Sequence, residues 1–230
     1  MNYIVASCKE WHRAGFEQLQ ASVAGNFIWV ANDQELRQAV LEFSPRYIFF
    51  LHWNTKVAAD LWRHFECVCF HMTDVPFGRG GSPLQNLIVR GVRETQLSAL
   101  RMVEAMDAGP VYAKVPLDLS GRAEEIYLRA GAASFELIRS IIAQEPVPVA
   151  QEGEVVEFRR RTPAQSRLPD AGGLGLWYDH IRMLDAPGYP PAFIEYGDFR
   201  LEFSHARLES GSLRAEVSIL PRHAAEPSKE

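Results

Sequence analysis

The sequence predicts an α/β protein: an open, mostly parallel, doubly wound sheet followed by a small C-terminal α+β appendage. Three observations carry that expectation. Short apolar runs alternate with helix-spaced segments up to about residue 72, in units of roughly 20–30 residues, as parallel strands with right-handed crossovers require. Tyr47–Trp53 (YIFFLHW) is almost wholly apolar, which suits a strand covered on both faces. Glu66–Pro83 runs as a strand pattern into His71 and Thr73-Asp74, then through a Gly-rich loop into a helix start. Open α/β sheets place their chemistry at such strand ends.

Taken in order, Tyr3–Cys8 suits a buried strand, and Trp11–Ala21 has helical spacing through Trp11, Phe16 and Leu19. Phe27–Ala31 reads as a second strand. Asn32 or Asp33 then caps a helix through Phe43, with Leu36, Val40 and Leu41 on one face. Tyr47–Trp53 is the third strand, Ala58–Phe65 a short helix and Cys67–Met72 the fourth strand. Ser82 as N-cap and Pro83 at the first helical position open a helix ending near Gly91. Thr95–Val103 and Val111–Leu117 flank a turn at Met106–Pro110, and Ser120 caps a long helix with Ile126, Ala130, Ala133, Leu137 and Ile141 on its apolar face. Beyond Pro146 and Pro148 come a strand at Val155–Arg161, a Pro- and Gly-rich linker at Pro163–Gly175 and a small helix at Leu176–Leu184. A β element follows at Phe193–Leu201 and Leu213–Leu220, and the last ten residues read as frayed. The expected organisation is a catalytic domain over 1–150, a connecting strand and linker over 151–175, and a C-terminal unit over 176–230.

Composition narrows the class. With 230 residues, 47% of them hydrophobic, the chain can bury a full core. A formal charge of −5 gives no general attraction to nucleic acid. Three cysteines, an odd number, argue against a disulfide framework. No signal-peptide pattern and no membrane-length apolar run is present, so a cytoplasmic location is expected. A dinucleotide fingerprint is missing after the first strand, and no Walker loop follows the Gly-rich segment.

The chemistry-bearing residues have competing readings. Cys67, Cys69 and His71 share one strand face by the period of two. They make a packed face with a hydrogen-bonded histidine, a nucleophile–base pair in Cys69 and His71, or a metal site; alternate strand positions about 6.5–7 Å apart suit tetrahedral zinc poorly. Phe77–Pro83 is either a tight turn or a place where Gly80 and Gly81 let backbone approach a ligand. In that second reading Arg79 and the helix start receive an anion. His52-Trp53-Asn54 at the end of the third strand contacts a flat ligand or caps the strand. Asp107 alone is an ordinary turn aspartate, and Arg159-Arg160-Arg161 alone a solvated charge run.

The combination is more specific. His71, then Pro76, then Arg79-Gly80, followed about 27 residues later by Met106-Asp107-Ala108-Gly109-Pro110, resembles the formyltransferases that use N10-formyltetrahydrofolate. In that family Asn-x-His precedes Leu-Pro-x-x-Arg-Gly, and the catalytic aspartate sits in Asp-x-Gly. The resemblance covers about residues 45–165 and implies a Rossmann-like catalytic domain, N10-formyltetrahydrofolate as formyl donor and no metal. It implies that His71 stabilises the oxyanion and moves a proton. Asp107 keeps that imidazole protonated and oriented, or takes the attacking amine's proton through water. Where the family has asparagine this sequence has Cys69, and a thiol donates only weakly. Either Asn54, Asn86 or a backbone N–H then supplies the donor, or the catalytic set is His71, Asp107 and a weakly donating Cys69. The segment from Phe70 to Ile88 looks most like sugar N-formyltransferases of the pseudaminic acid pathway, so the expected acceptor is the 4-amino group of a UDP-linked dideoxy amino sugar. The nucleotide sugar would lie near Thr73, Arg79, Gly80, Gly81 and Gln85, and the pterin near His52, Trp53, Asn54, Met106 and the Asp107 loop. The alternatives are methionyl-tRNA or another amine as acceptor, a formyltetrahydrofolate hydrolase, and a non-catalytic folate- or nucleotide-binding relative. Net acidity and the few residues after the linker disfavour tRNA, so folate and nucleotide sugar are the expected partners, with no nucleic acid and no membrane. A homodimer is compatible with this reading.

Overall fold

The computed structural model describes residues 1–222. The frayed end expected over the last ten residues lies outside that range for 223–230. A six-stranded sheet forms the body, in the order β2-β1-β3-β4-β6-β7. Its strands are β1 (Asn2–Ala6), β2 (Asn26–Val30), β3 (Tyr47–Phe50), β4 (Cys67–His71), β6 (Glu94–Arg101) and β7 (Val111–Asp118). The first four pair in parallel, and β6 and β7 add an antiparallel edge. Beside them, β5 (Phe77–Gly80) pairs in parallel with β8 (Val156–Phe158).

Burial of β3 follows its sequence. Tyr47, Phe49 and Leu51 join one core cluster, and Ile48 and Phe50 the other. Apolar side chains of both parities therefore leave water, as a strand between two helical layers demands. The helices are α1 (Arg13–Ser22), α2 (Asp33–Phe43), α3 (Ala59–His64), α4 (Pro83–Ile88), α5 (Ala123–Gln144) and α6 (Leu174–Arg182). Asn32 caps α2: its side chain accepts from the Glu35 N–H at 3.0 Å, while the Glu35 carboxylate reaches back to the Ala31 N–H at 2.7 Å.

Several boundaries differ from expectation for identifiable reasons. Residues 77–80, expected as loop, form β5 because β8 supplies a partner from far along the chain. Ser82 precedes α4 in the left-handed region (φ 52°), and its hydroxyl accepts from the Arg161 N–H at 3.0 Å instead of capping the helix. Ser120 does not cap α5 either. That helix begins at Ala123 after Arg122, and the Ser120 backbone N–H bonds the Asp118 carboxylate. The expected linker contains a 3-10 turn at Pro163–Ser166.

After α6, β9 (Ala192–Tyr196), β10 (Phe199–Glu209) and β11 (Ser212–Pro221) make a separate antiparallel sheet in the order β11-β10-β9. Its core is continuous with the body, since Leu168, Ile181, Met183, Ala192 and Ala206 cluster with Leu117, Leu119 and Ile126. Among the described residues no helix is long and apolar enough to cross a membrane.

Candidate active site

Strand β4 carries Cys67, Cys69 and His71 toward one face, and His71 closes it. In register, Cys69 lies opposite Phe50 of β3 and Leu100 of β6, and His71 opposite Ser98. The imidazole is 7% exposed, and its Nε2 lies 2.8 Å from the Gly78 carbonyl oxygen. A carbonyl only accepts, so Nε2 carries a hydrogen. The Thr73 hydroxyl donates to the same oxygen at 3.2 Å. That leaves Nδ1 as the ring atom facing the site, 3.6 Å from Asp107 Oδ2. The carboxylate is itself fixed, because Oδ2 accepts the Gly80 N–H at 2.9 Å. Asp107 sits at φ 53°, a left-handed backbone that a non-glycine residue holds only under constraint.

Two residues beyond that pair supply the constraint. The Gln151 Nε2 donates to the carbonyls of Asp107 and Gly109, both at 2.8 Å. Its Oε1 accepts from Arg79 Nε at 3.0 Å and Nη2 at 2.7 Å. Gln151 is carried there by Val149, which exchanges both backbone hydrogen bonds with Val111 at the start of β7. Gly109 packs so closely on the Arg101 carbonyl that a side chain there would collide with it.

Cys69 belongs to the same constellation. Burial first, then the Asp107 carboxylate, pushes its thiol strongly upward, so sulfur stays protonated and offers a weak S–H donor. A raised thiol pKa disfavours the thiolate that the nucleophile reading of Cys69 requires. Burial likewise pushes Cys67 up to about 12.

Other expected ligand groups are engaged inside the protein. Thr73 is fully buried, with its hydroxyl on Gly78 and its carbonyl accepting from Ser98 at 2.7 Å. The Gly80 N–H is bound to Asp107, and the Gly81 N–H to the Phe158 carbonyl at 3.1 Å. The expected backbone cradle therefore does not form: the glycines serve close approach of β8, and a Cβ at either would collide with Phe158 or Arg160. Arg79 forks onto Gln151. Gln85 is buried, its amide nitrogen donating to the Tyr127 hydroxyl at 3.0 Å and the Met183 carbonyl at 2.9 Å. Asn86 spends its amide hydrogens on the carbonyls of Gly81, Ser82 and Arg159, which excludes it as oxyanion donor.

The groups expected near the pterin lie at the ends of β3 and β6. Trp53 packs edge-on against Phe50, its buried indole N–H without a hydrogen-bond partner among the described residues. Asn54 and Met106 are exposed. His52 turns away into a cluster that no sequence motif announced, with Nε2 2.5 Å from the Tyr189 hydroxyl. There Tyr127 stacks on Tyr189 and Trp11, and the Lys9 ammonium lies over the rings of Trp11 and Tyr189.

An open α/β sheet with a buried histidine–aspartate pair at a strand end is an arrangement suited to acid–base chemistry. Comparison with known proteins makes this specific. A solved methionyl-tRNA formyltransferase from Clostridium thermocellum is 43% identical, with a TM-score of 0.93, over 96% of this chain and 99% of that one. The chain belongs to the formyltransferase family. Residues 163–220 also match the family described as methionyl-tRNA formyltransferase, C-terminal domain. The curated methionyl-tRNA formyltransferase of Rickettsia felis is 26% identical over 67% of this chain and 50% of its own length, so the chain spans about half the length of the curated relatives it matches. A structure of HypX from Aquifex aeolicus in complex with tetrahydrofolic acid shares the fold at 15% identity and TM-score 0.73, over 89% of this chain and 37% of that one.

These findings correct the expected acceptor. A sugar N-formyltransferase from Shewanella sp. matches at only 14% identity and TM-score 0.69, over 89% of this chain and 96% of that one. That is a likeness of fold, whereas the 43% match is to a methionyl-tRNA formyltransferase of nearly equal extent. The nucleotide-sugar reading is overturned. The argument against tRNA from a short C-terminal part falls with it.

Proposed function

We propose that this chain transfers a formyl group from N10-formyltetrahydrofolate to the amino group of methionyl-tRNA. The observation that carries the proposal is the His71–Asp107 pair, 3.6 Å apart and held from both sides at the C-terminal end of β4.

The donor supplies a formyl carbon already activated toward amines. A carbon–nitrogen bond forms to the acceptor and the bond from that carbon to N10 breaks. One proton leaves the acceptor nitrogen and one arrives at N10, with no change of oxidation state. His71 works through Nδ1, because the Gly78 carbonyl occupies Nε2 and fixes the ring. With Oδ2 tied to Gly80 and facing Nδ1, Asp107 offers Oδ1 to the amine or to a water that carries its proton. The Cys69 S–H and the His71 ring at Nδ1 are the side-chain groups on this strand face that can serve as donors to the oxygen on which negative charge develops. For the pterin we assign Trp53, half-buried, and the exposed Asn54 and Met106, which lie on the segments that follow β3 and β6. Arg159 and Arg160 are exposed and have no carboxylate partner among the described residues. This local basic strip supports a polyanionic acceptor despite the overall −5.

The test is incubation of the protein with donor and methionyl-tRNA, with mass spectrometry of the released amino acid for one added formyl group. His71→Ala and Asp107→Asn are expected to lose about 100- to 10,000-fold in kcat/KM while remaining folded. Formate release without acceptor turnover would indicate a hydrolase instead. Full activity in either variant would remove the mechanism.

A further inference from the structure

We infer that Gln151 is the positioning residue that places the Asp107 carboxylate over His71, with Arg79 fixing the orientation of its amide. The inference rests on the reading that Asp107 and His71 are the reacting pair. Its basis is a closed ring of contacts. Arg79 lies on β5, next to the Gly80 N–H that binds Asp107 Oδ2. Arg79 also forks onto Gln151 Oε1, and Gln151 Nε2 holds the carbonyls on both sides of Ala108. The Asp107 loop is thereby gripped twice from one strand, once at its carboxylate and once through its backbone.

The ring uses the whole capacity of the glutamine side chain: two N–H donors to two carbonyls, and both oxygen lone pairs toward one guanidinium. The amide cannot turn over, because a flip would set Nε2 against the Arg79 cation and Oε1 against two carbonyl oxygens. A carboxylate at this position loses both donor bonds while keeping the pairing with Arg79. A lysine at 79 loses the fork that distinguishes the two ends of the amide. Asp107 needs this hold because φ 53° is not a conformation aspartate adopts freely. The distance between Oδ2 and Nδ1 is therefore set 44 residues downstream of the aspartate.

The experiment compares wild type, Gln151→Met, Gln151→Glu and Arg79→Lys by amide hydrogen exchange in the ligand-free protein and by steady-state kinetics. Gln151→Met keeps the side-chain volume and removes all four hydrogen bonds. It is expected to speed exchange of the Gly80 N–H at least about tenfold, with amides of β1 and β3 unchanged, because that N–H is protected by the Asp107 carboxylate. The kcat is expected to fall about 10- to 100-fold with donor KM within about threefold, the pattern of a misplaced reacting group. Gln151→Glu should behave like Gln151→Met despite its similar shape. Arg79→Lys should fall between, and Arg79→Lys combined with Gln151→Met should be no worse than Gln151→Met alone. Unchanged Gly80 exchange in Gln151→Met overturns the inference, as does faster exchange with wild-type kcat. If wild type formylates nothing, the proposed function fails, and the Gly80 amide still reports whether Gln151 holds the loop.

Discussion

At the scale of single residues the site is defined by which polar atoms are already taken. His71 has one nitrogen committed to Gly78 and one facing Asp107, so its ring cannot rotate between roles. Cys69 stands where the family pattern would place an asparagine, and burial with the Asp107 charge pushes its thiol upward. A thiol is a poor donor, so the proposed mechanism assigns most of the oxyanion stabilisation to Nδ1. Cys69→Ala is accordingly expected to keep kcat/KM within about fivefold of wild type, against the loss of at least about 100-fold set out for Asp107→Asn. If Cys69→Ala loses as much as Asp107→Asn, the thiol is the principal donor and this assignment is wrong. His71 and Asp107 could be picked out from sequence because each sits in a short motif at a strand end or tight turn. Gln151 could not, since its partners are backbone carbonyls, which no motif encodes. The partner of the Gly-rich segment is hidden for the same reason. Gly80 and Gly81 do allow close backbone approach, but the approaching backbone is that of Phe158 and Arg160, not a ligand.

At the scale of elements, the parallel strands β1 to β4 and helices α2 and α5 follow the apolar periodicity, which reports burial directly. The pairing of β5 with β8 and the true start of α5 depend on distant partners and stay hidden in the sequence. The exit of β1 holds a further device. His12 Nδ1 lies 2.7 Å from the Ser7 hydroxyl, and its Nε2 accepts from the Trp11 indole at 3.2 Å, so the ring is neutral. Burial, then the Lys9 ammonium, lowers His12 to about 4; burial, then Lys9 and His12, lowers His52 to about 3. Both values lie below the 6.5 of an unfolded chain. From pH 6.5 downward the unfolded state takes up protons that the folded state refuses, so stability is complete above 6.5 and is lost as pH falls toward 4 and 3. Each histidine adds a slope of up to about 1.4 kcal/mol per pH unit in that window. Urea unfolding at pH 7.5, 6.0 and 5.0 should show stability falling with pH, and less steeply in His12→Gln and His52→Gln. Equal slopes in wild type and both variants would mean that these rings are not the source.

At the scale of the whole molecule, the joint between the body and the C-terminal unit turns on one buried cation. Arg182, at the end of α6, is 1% exposed. Its Nε donates to Asp179 at 2.7 Å, and its Nη1 to the carbonyls of Leu119 at 2.6 Å and Gly121 at 2.9 Å, on the connection from β7 to α5. Its Nη2 is buried without a partner among the described residues, so the site accepts one unsatisfied donor to keep three bonds. Contacts nearby run the same way: Glu124 N–H to the Asp185 carbonyl at 3.0 Å, Arg122 to the Asp185 carboxylate at 3.6 Å, and Gln85 to the Met183 carbonyl. The residue read as a substrate ligand, Gln85, is thus part of the joint. Among the described residues, removing the guanidinium leaves two carbonyls without their side-chain donor and Asp179 with only the exposed Arg93 at 3.4 Å. Breaking a buried pair from one side costs about 3–5 kcal/mol, so Arg182→Met should lower Tm by about 10 °C. Arg182→Lys, which keeps the charge but not the fork, should lose less. Because Arg182 makes no hydrogen bond to His71, Asp107 or their partners Gly78 and Gly80, kcat well below the transition should stay near wild type in both. A Tm shift under about 2 °C in Arg182→Met would show that packing across the shared core, not this cation, fastens the C-terminal sheet to the body.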